Sequence, residues 1–354
     1  MHYFLRLLFL PLVGVCLSSI TSQGIPDSLN VIFGPGQRIE SPNFTGPVWV
    51  ERMLVIEDDE QPVPIGNVTF PPESRSNWHH HAAGQTLLVL DGVGYYQEAG
   101  ETVQVLRKGD KVQCPPGVEH WHGAANDHWF VQLALTKEHP AGRVIWGKPV
   151  TDEQYHAGLK AEGKSLRYYH LSRVAALTTS GELEKLQIAL DASLNFGLKV
   201  EELREAIVHL YAYAGFPRSI QGLKMLMATI ETRRERGIAV DFMAGKVAVP
   251  MAPQDNASRY EQGLKNLEQL TGRNWAEPAD YGKFAPRIDT FLKEHLFADV
   301  FEDVTLSYAD REVVTVAVLA TLGEGVEPML RGHSMIARRQ GVSAADLRMI
   351  MRAH

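Results

Sequence analysis

The alternation of apolar and polar positions changes period near residue 140. Before it lie short β-rich runs: Val48 to Ile56, Asn67 to Phe70, Gln85 to Leu90, Gly94 to Gln97, Thr102 to Leu106, Lys111 to Gln113 and Trp129 to Leu135. Turn-forming pairs separate them, at Pro71-Pro72, Asp91-Gly92, Gly109-Asp110, Pro115-Pro116-Gly117 and Asn126-Asp127. Short strands at turn-punctuated intervals predict an all-β sandwich or barrel over residues 30–140. Residues 141–163 read as a connector with a first helical turn. From Ser165 the period is helical, with stripes at Leu171, Val174, Ala175 and Thr178 and at Leu203, Ala206, Ile207 and Leu210. Further helices are expected at Tyr260 to Leu270, Ile288 to Val300, Arg311 to Leu322, Glu327 to Gln340 and Ala344 to Arg352.

The helical half repeats without gaps at an offset of 144, with Val174, Ala176, Gly181, Leu186, Gly197, Leu203 and Arg204 matching Val318, Ala320, Gly325, Leu330, Gly341, Leu347 and Arg348. Glycine and leucine dominate the matches, so they report shared helical packing first. The two copies are placed at 164–240 and 257–354.

A length of 354 residues exceeds one hydrophobic core. The 35 basic residues are scattered among 42 acidic ones, for a formal charge of -7, so nucleic acid is not expected as a partner. The opening residues 1–22 carry Arg6, an apolar stretch from Leu7 to Leu17 and then small polar residues, the pattern of a secretory signal peptide. That stretch is too short to span a hydrocarbon core, although an uncleaved anchor is the alternative reading. The expected location is therefore exported, periplasmic or secreted, with no membrane association after cleavage. Two cysteines, Cys16 and Cys114, make no disulfide framework, CxxC motif or Cys-rich zinc site.

Histidine is the informative residue. Six of the 14 fall between His79 and His128. His79 and His81 are two apart, so on a strand both point to one face, and Gln85 follows at even spacing. His120 comes directly after the tight PPGVE turn. Imidazole is the commonest metal ligand, and this spacing makes His79, His81 and His120 candidate ligands with Gln85 as a fourth, amide ligand. His80 is expected to point away. His122, on the face of His120, is a candidate either for proton transfer or for a buried structural role. Trp78, Leu88, Trp121, Phe130 and Leu133 are expected to line the barrel interior.

Residues from about 43 to 136 resemble the cupin family. Its first motif matches His79-His80-His81, Gln85 and Gly92, and its second Gly109, Pro115, Gly117 and His120. Gln85 replaces the usual Glu, and Ala124 stands where Asn is common. The string WHHHAAGQTLLVLDGVGYYQ is similar to a subgroup of small bacterial cupins with a His3Gln site, which includes manganese-dependent hydroxynitrile lyases. Those often carry a histidine where this chain has Gln132. The resemblance implies a jelly-roll β-barrel and one divalent ion, manganese before iron, zinc, nickel or cobalt. Three neutral imidazoles and a neutral amide leave the ion's charge uncompensated, which favours Lewis-acid chemistry on an oxygen-bearing substrate.

The helical half resembles the carboxymuconolactone decarboxylase family, through GLKVEELREAIVHLYAYAGFPRSIQGL in the first copy and REVVTVAVLATLGEGVEPMLRGHSMIARRQGVSAADLRMIM in the second. The family's thiol peroxidase branch needs a CxxC pair around Tyr211 to Ala214, and this half has no cysteine, which excludes that chemistry. The decarboxylase branch implies an acid-base histidine that maps to His333, where the first copy has Ala189. A complete site would combine His333 with Tyr213 or Glu205 of the other copy. Glu205 and His209, four apart on one helix face, are a candidate acid-base pair or a packing link.

The fold expected is thus a cupin barrel followed by an all-α domain of two such repeats, in a homo-oligomer acting on a small molecule. Three functions stay open: an exported metal-dependent carbon-carbon lyase with the helical half as scaffold or second site, a non-catalytic binder of small anions, and a dioxygenase-type cupin.

Overall fold

The computed structural model describes residues 24, 29, 32–56, 63–140, 142, 144–243 and 256–353. The segment 1–22, expected from sequence to be a signal peptide, lies outside the described residues. The chain divides into two compact units between Leu159 and Lys160.

The first unit is a curled antiparallel sheet of the cupin type. Its strands are β1 Gln37–Ile39, β2 Phe44–Thr45, β3 Val48–Ile56, β4 Val63–Phe70, β5 Arg75–Ser76 and β6 His79–His80. Then follow β7 Gln85–Glu98, β8 Gln104–Arg107, β9 Lys111–Cys114, β10 His120–Ala124, β11 Phe130–Thr136 and β12 Ile145–Trp146. The main path runs β1-β3-β4-β11-β7-β10-β5-β2, with β6 joining β10 to β12 and with β8 and β9 pairing on β7.

The Asp91-Gly92 signal, expected to end a strand, instead lies inside the 14-residue β7. The first part of β7 pairs with β11 and β9, the last part with β10 and β8. Gly92 makes the change of partner possible. It has φ +79, and a Cβ there would sit 1.9 Å from the Trp129 carbonyl oxygen. The β11 ladder slips register between Val131 and Gln132 beside it. A glycine inside an apolar run marked a bend that keeps the strand going. Phe70, Leu87, Val89, Tyr96, Leu106 and Phe130 are buried together in this unit's core.

The connector expected at 141–163 is helical from Asp152, where α1 starts and runs unbroken to Ser180. The second unit continues with α2 Leu183–Phe196, α3 Val200–His209, α4 Tyr211–Ala214, α5 Phe216–Glu235, α6 Asn256–Thr271, α7 Asp280–Phe284 and α8 Pro286–Thr290. A π-helix spans Phe291–Val300, followed by α9 Tyr308–Leu322, α10 Glu327–Arg339 and α11 Ala344–Ile350. The single helix expected over Ile288 to Val300 is therefore two pieces of different pitch.

α2 and α10 start at Leu183 and Glu327, and α3 and α11 at Val200 and Ala344. The intervening Gly197 and Gly341 both have positive φ, 107° and 85°. Buried Leu171, Val174, Leu186, Leu203, Ile207, Val313 and Val316 belong to one core, each worth about 1.5–3 kcal/mol of burial. Among the described residues no helix is long and apolar enough to cross a membrane.

Candidate metal centre and a buried polar cluster

β6 and β10 pair so that His79 stands opposite His120. The ring nitrogens of His79, His120 and His122 offer donor atoms within 4.8 Å of one another. This trio differs from the expected one. β6 ends at His80, and His81 opens the turn that follows, its carbonyl accepting from the Gly84 and Gly117 amides. The His81 ring stays close, 5.2 Å from His79 and 5.6 Å from His120 between centroids, but the tightest group has His122 in its place. On β10 the rings of His120 and His122 stack at 6.1 Å, as two residues of one strand face should.

Hydrogen bonds assign the protons. His79 Nδ1 donates to the Asn77 carbonyl at 2.9 Å, and His120 Nδ1 to the Val118 carbonyl at 3.1 Å. Carbonyls only accept, so each ring keeps its lone pair on Nε2. Gln85 Nε2 donates to Thr136 Oγ1 at 3.1 Å, which turns Gln85 Oε1 toward His120 Nε2 at 3.0 Å. His120 Nδ1 also lies 3.0 Å from Cys114 Sγ; in the tautomer that donates to the Val118 carbonyl, two acceptors face each other across the Gln85–His120 contact. A cation satisfies both, and this is the arrangement of two ligands to one ion. Burial adds to the case. It holds His79 and His122 well below the ordinary imidazole pKa, with neighbouring imidazoles adding to the effect, and lowers His120 to about 4. Neutral imidazole is the form that binds metal. The donor set thus fits a divalent ion.

His122 differs in tautomer. Its Nδ1 accepts from Gln132 Nε2 at 2.8 Å, which leaves its proton on Nε2. Gln132 Oε1 is buried without a hydrogen-bond partner among the described residues. Sequence reasoning marked Gln132 only as a departure from relatives. Its role depends on facing His122 across the sheet, which spacing does not encode.

A cavity of about 530 Å³ opens on these residues. Its apolar walls are Phe44, Val50, Ile65, Val68 and Trp146, with Ser76 and Thr136 as hydroxyls. The Trp146 ring lies 4.9 Å from that of His79, tilted by 42°. The walls expected from sequence are elsewhere. Trp121 is fully buried with its indole donating to Gln97, on the strand face opposite His120, and Phe130 packs in the core beside Phe70. Trp78 borders a separate, polar depression with Glu101 and Lys148.

In the helical unit, residues of α3, α4, α9 and α10 meet in one buried cluster. His333 Nδ1 bonds Glu312 Oε2 at 2.8 Å, and its ring meets Tyr213 edge-on at 5.7 Å. Glu312 Oε1 is buried with no partner among the described residues. Burial, then the Glu312 charge, raises the Tyr213 hydroxyl above its usual range. Glu205 and His209 do not pair directly. Arg311, which is fully buried, donates to Glu205 at 2.9 Å and lies 3.4 Å from His209 Nδ1. Thr315 Oγ1 donates to the Arg311 carbonyl and accepts from His209 Nε2 at 3.0 Å. His209 is therefore neutral, its pKa held well down by burial and then by Arg311. The i,i+4 spacing was right, but a guanidinium from α9 sits between the two. Arg311 and Glu312 were legible only as the charged start of an apolar helix.

A curled antiparallel sheet of this type, with histidines from adjacent strands beside an apolar cavity, fits a divalent metal site. The cupin domain family model matches residues 66–131, and the carboxymuconolactone decarboxylase family model matches 286–353. The first helical copy is not part of that second match. The N-terminal unit is 40% identical over 112 residues to an (R)-mandelonitrile lyase of Granulicella tundricola, covering 32% of this chain and 85% of the relative. A cupin-like protein of Thermotoga maritima is 39% identical, over 36% of this chain and 96% of that one, with a TM-score of 0.34. A predicted oxalate decarboxylase of the same organism is 19% identical, over 31% and 91%, with a TM-score of 0.25. The chain belongs to the cupin family through its N-terminal unit and carries a carboxymuconolactone decarboxylase family segment behind it.

Proposed function

We propose that the barrel is a metal-dependent carbon-carbon lyase for a small, partly apolar substrate bearing a hydroxyl or carbonyl oxygen. The observation that carries this is the approach of Gln85 Oε1 to His120 Nε2, 3.0 Å apart, with Gln85, His79 and His81 on the wall of the 530 Å³ cavity. His79, His120 and Gln85 would hold the ion, with His81, 5.6 Å from His120 between ring centroids, completing the set. A divalent ion there, manganese by family likeness, supplies Lewis-acid stabilisation of negative charge on the substrate oxygen. His122 holds its proton on Nε2 because Gln132 fills Nδ1, and so it is placed to donate or return a proton. Phe44, Val68 and Trp146 bind the apolar body and exclude water. The mandelonitrile lyase relative supports cyanohydrins as the first substrates to try. Export, by the opening segment, and homo-oligomerisation belong to the same proposal.

Metal analysis of the purified protein, with turnover on a cyanohydrin panel, tests it. Near-stoichiometric metal in wild type, lost with activity in His79→Ala and His120→Ala, is expected. Metal content unaffected by either substitution sinks the proposal, and intact metal without turnover favours a binding protein instead.

A second reading concerns the helical unit. The His333–Glu312 pair beside Tyr213 supports a decarboxylase-like acid-base site built from both copies. Lactone decarboxylation lost in His333→Ala but kept in His120→Ala is the expected separation.

A further inference from the structure

A second cavity of the helical unit, about 550 Å³, lies apart from the His333 cluster and has its own polar end. Its floor is the π-helix. Asp299 Oδ2 accepts from His295 Nδ1 at 2.9 Å, and Arg259 stands 3.5 Å from the same oxygen. With Nδ1 carrying the proton, His295 Nε2 is an acceptor, and the Tyr211 hydroxyl from α4 hydrogen-bonds to it. The result is an Asp–His–Tyr relay. Asp299 is 8% exposed and His295 49%, so the relay is anchored in protein at Asp299, and Tyr211 is partly buried in the cavity lining. The other walls are apolar. Phe216 stacks on Tyr211 at 4.8 Å, and Ile288, Phe291 and Leu292 also line the space.

Two features show that this geometry is built. π-Helical turns are rare and frequent at functional sites, and this one carries both His295 and Asp299. It is accommodated because α6 has Gly263 where a Cβ would lie 1.8 Å from the Lys293 carbonyl oxygen. A side chain at 263 would push the two helices apart and disturb the relay.

We propose that this pocket is a proton-transfer site for small neutral ketones with an apolar or aromatic body. The Tyr211 oxygen takes a proton from the carbon next to the carbonyl, while its own proton passes to His295 Nε2. The electron pair of the broken C–H bond forms the enolate double bond, and the carbonyl π pair moves onto oxygen. Arg259 supplies positive charge in the same lining, against which Asp299 and Glu294 disfavour anionic substrates. Reversal returns a proton to carbon, so exchange or isomerisation needs no co-reactant. Tyr211 is the catalytic residue, and His295 and Asp299 position and relay.

The test uses full-length protein dialysed against EDTA to silence the barrel, with 2-tetralone in D2O as the probe. Loss of the α-proton signal is followed by NMR. Wild type is expected to exchange at least tenfold faster than Tyr211→Phe. His295→Gln should lower the maximal rate with KM unchanged, whereas Phe216→Ala should raise KM. Circular dichroism melting confirms that each variant is folded. Exchange in Tyr211→Phe at the wild-type rate, or no acceleration by wild type over buffer, overturns the proposal.

Discussion

Replacing Glu205 by Gln removes the nearer of two carboxylates beside Arg311, 2.9 Å away, and leaves Asp303 at 3.7 Å. The Arg311 side chain is 0% exposed and that of Glu205 15%, so the guanidinium has no route to water. Removing one member of a buried pair costs about 3–5 kcal/mol, because the remaining charge is stranded. The Asp303 carbonyl still accepts from Arg311 at 2.7 Å, which places the expected loss near the lower limit, about 3 kcal/mol. Arg311→Met should cost less, about 1–2 kcal/mol, since it removes the charge and leaves a carboxyl that can take up a proton. The pKa of that carboxyl is already raised above the ordinary value, with burial the largest cause. The double variant should therefore be less damaged than the sum of the singles. Two probes separate the units: Trp49, Trp78, Trp121, Trp129 and Trp146 are in the barrel and Trp275 alone in the helical unit. In urea, the circular dichroism transition at 222 nm should shift down by about 1–1.5 M for Glu205→Gln, while the fluorescence transition stays. A shift below about 0.3 M, or strict additivity in the double variant, would refute the reasoning.

His209 makes the helical unit acid-sensitive. Its folded pKa lies well below the unfolded value near 6.5, through burial and then Arg311 and His333, so the unfolded chain binds the extra proton. Stability is full above pH ~6.5 and falls below it by up to about 1.4 kcal/mol per pH unit. His209→Gln should flatten that slope in urea titrations from pH 7 to 5, and an unchanged slope counts against the burial argument. Gly92→Ala should destabilise the barrel by about 2–3 kcal/mol, read by tryptophan fluorescence, because its Cβ meets the Trp129 carbonyl at 1.9 Å; a neutral result would mean that β7 bends elsewhere. Gln85→Glu adds a negative charge beside His120, so metal retention against EDTA should rise while turnover falls roughly tenfold. Faster turnover in that variant would contradict the Lewis-acid account.

The sequence carried the fold well where periodicity and packing coincide. Val48 to Ile56 and the Leu203, Ala206, Ile207, Leu210 stripe became a strand and a buried helix face. It misled where one local signal has two structural outcomes. Asp91-Gly92 can turn a chain back or bend a strand at a residue with φ +79°, and only the approach of Trp129 decides. Ile288 to Val300 reads as one helix because apolar spacing does not distinguish α from π pitch over so short a span. His79, His120 and Gln85 were legible as donors through their residue types and the turn before His120. That His81 would leave the strand, and His122 would join the tight group, depends on the turn closing at Gly84 and Gly117.

What motifs could not supply is the assignment of roles, and in both units that comes from a partner distant in sequence. Thr136 turns the Gln85 oxygen inward, Gln132 decides which His122 nitrogen carries the proton, and Arg311 converts an apparent Glu205–His209 couple into a charge bridge. Each is a hydrogen bond between residues 10 to 106 positions apart. The same ligand types with Thr136 or Gln132 replaced would keep the motif and lose the orientation. A cupin motif therefore specifies that metal can bind. The buried amide, hydroxyl and guanidinium neighbours decide which side chains are left to move protons.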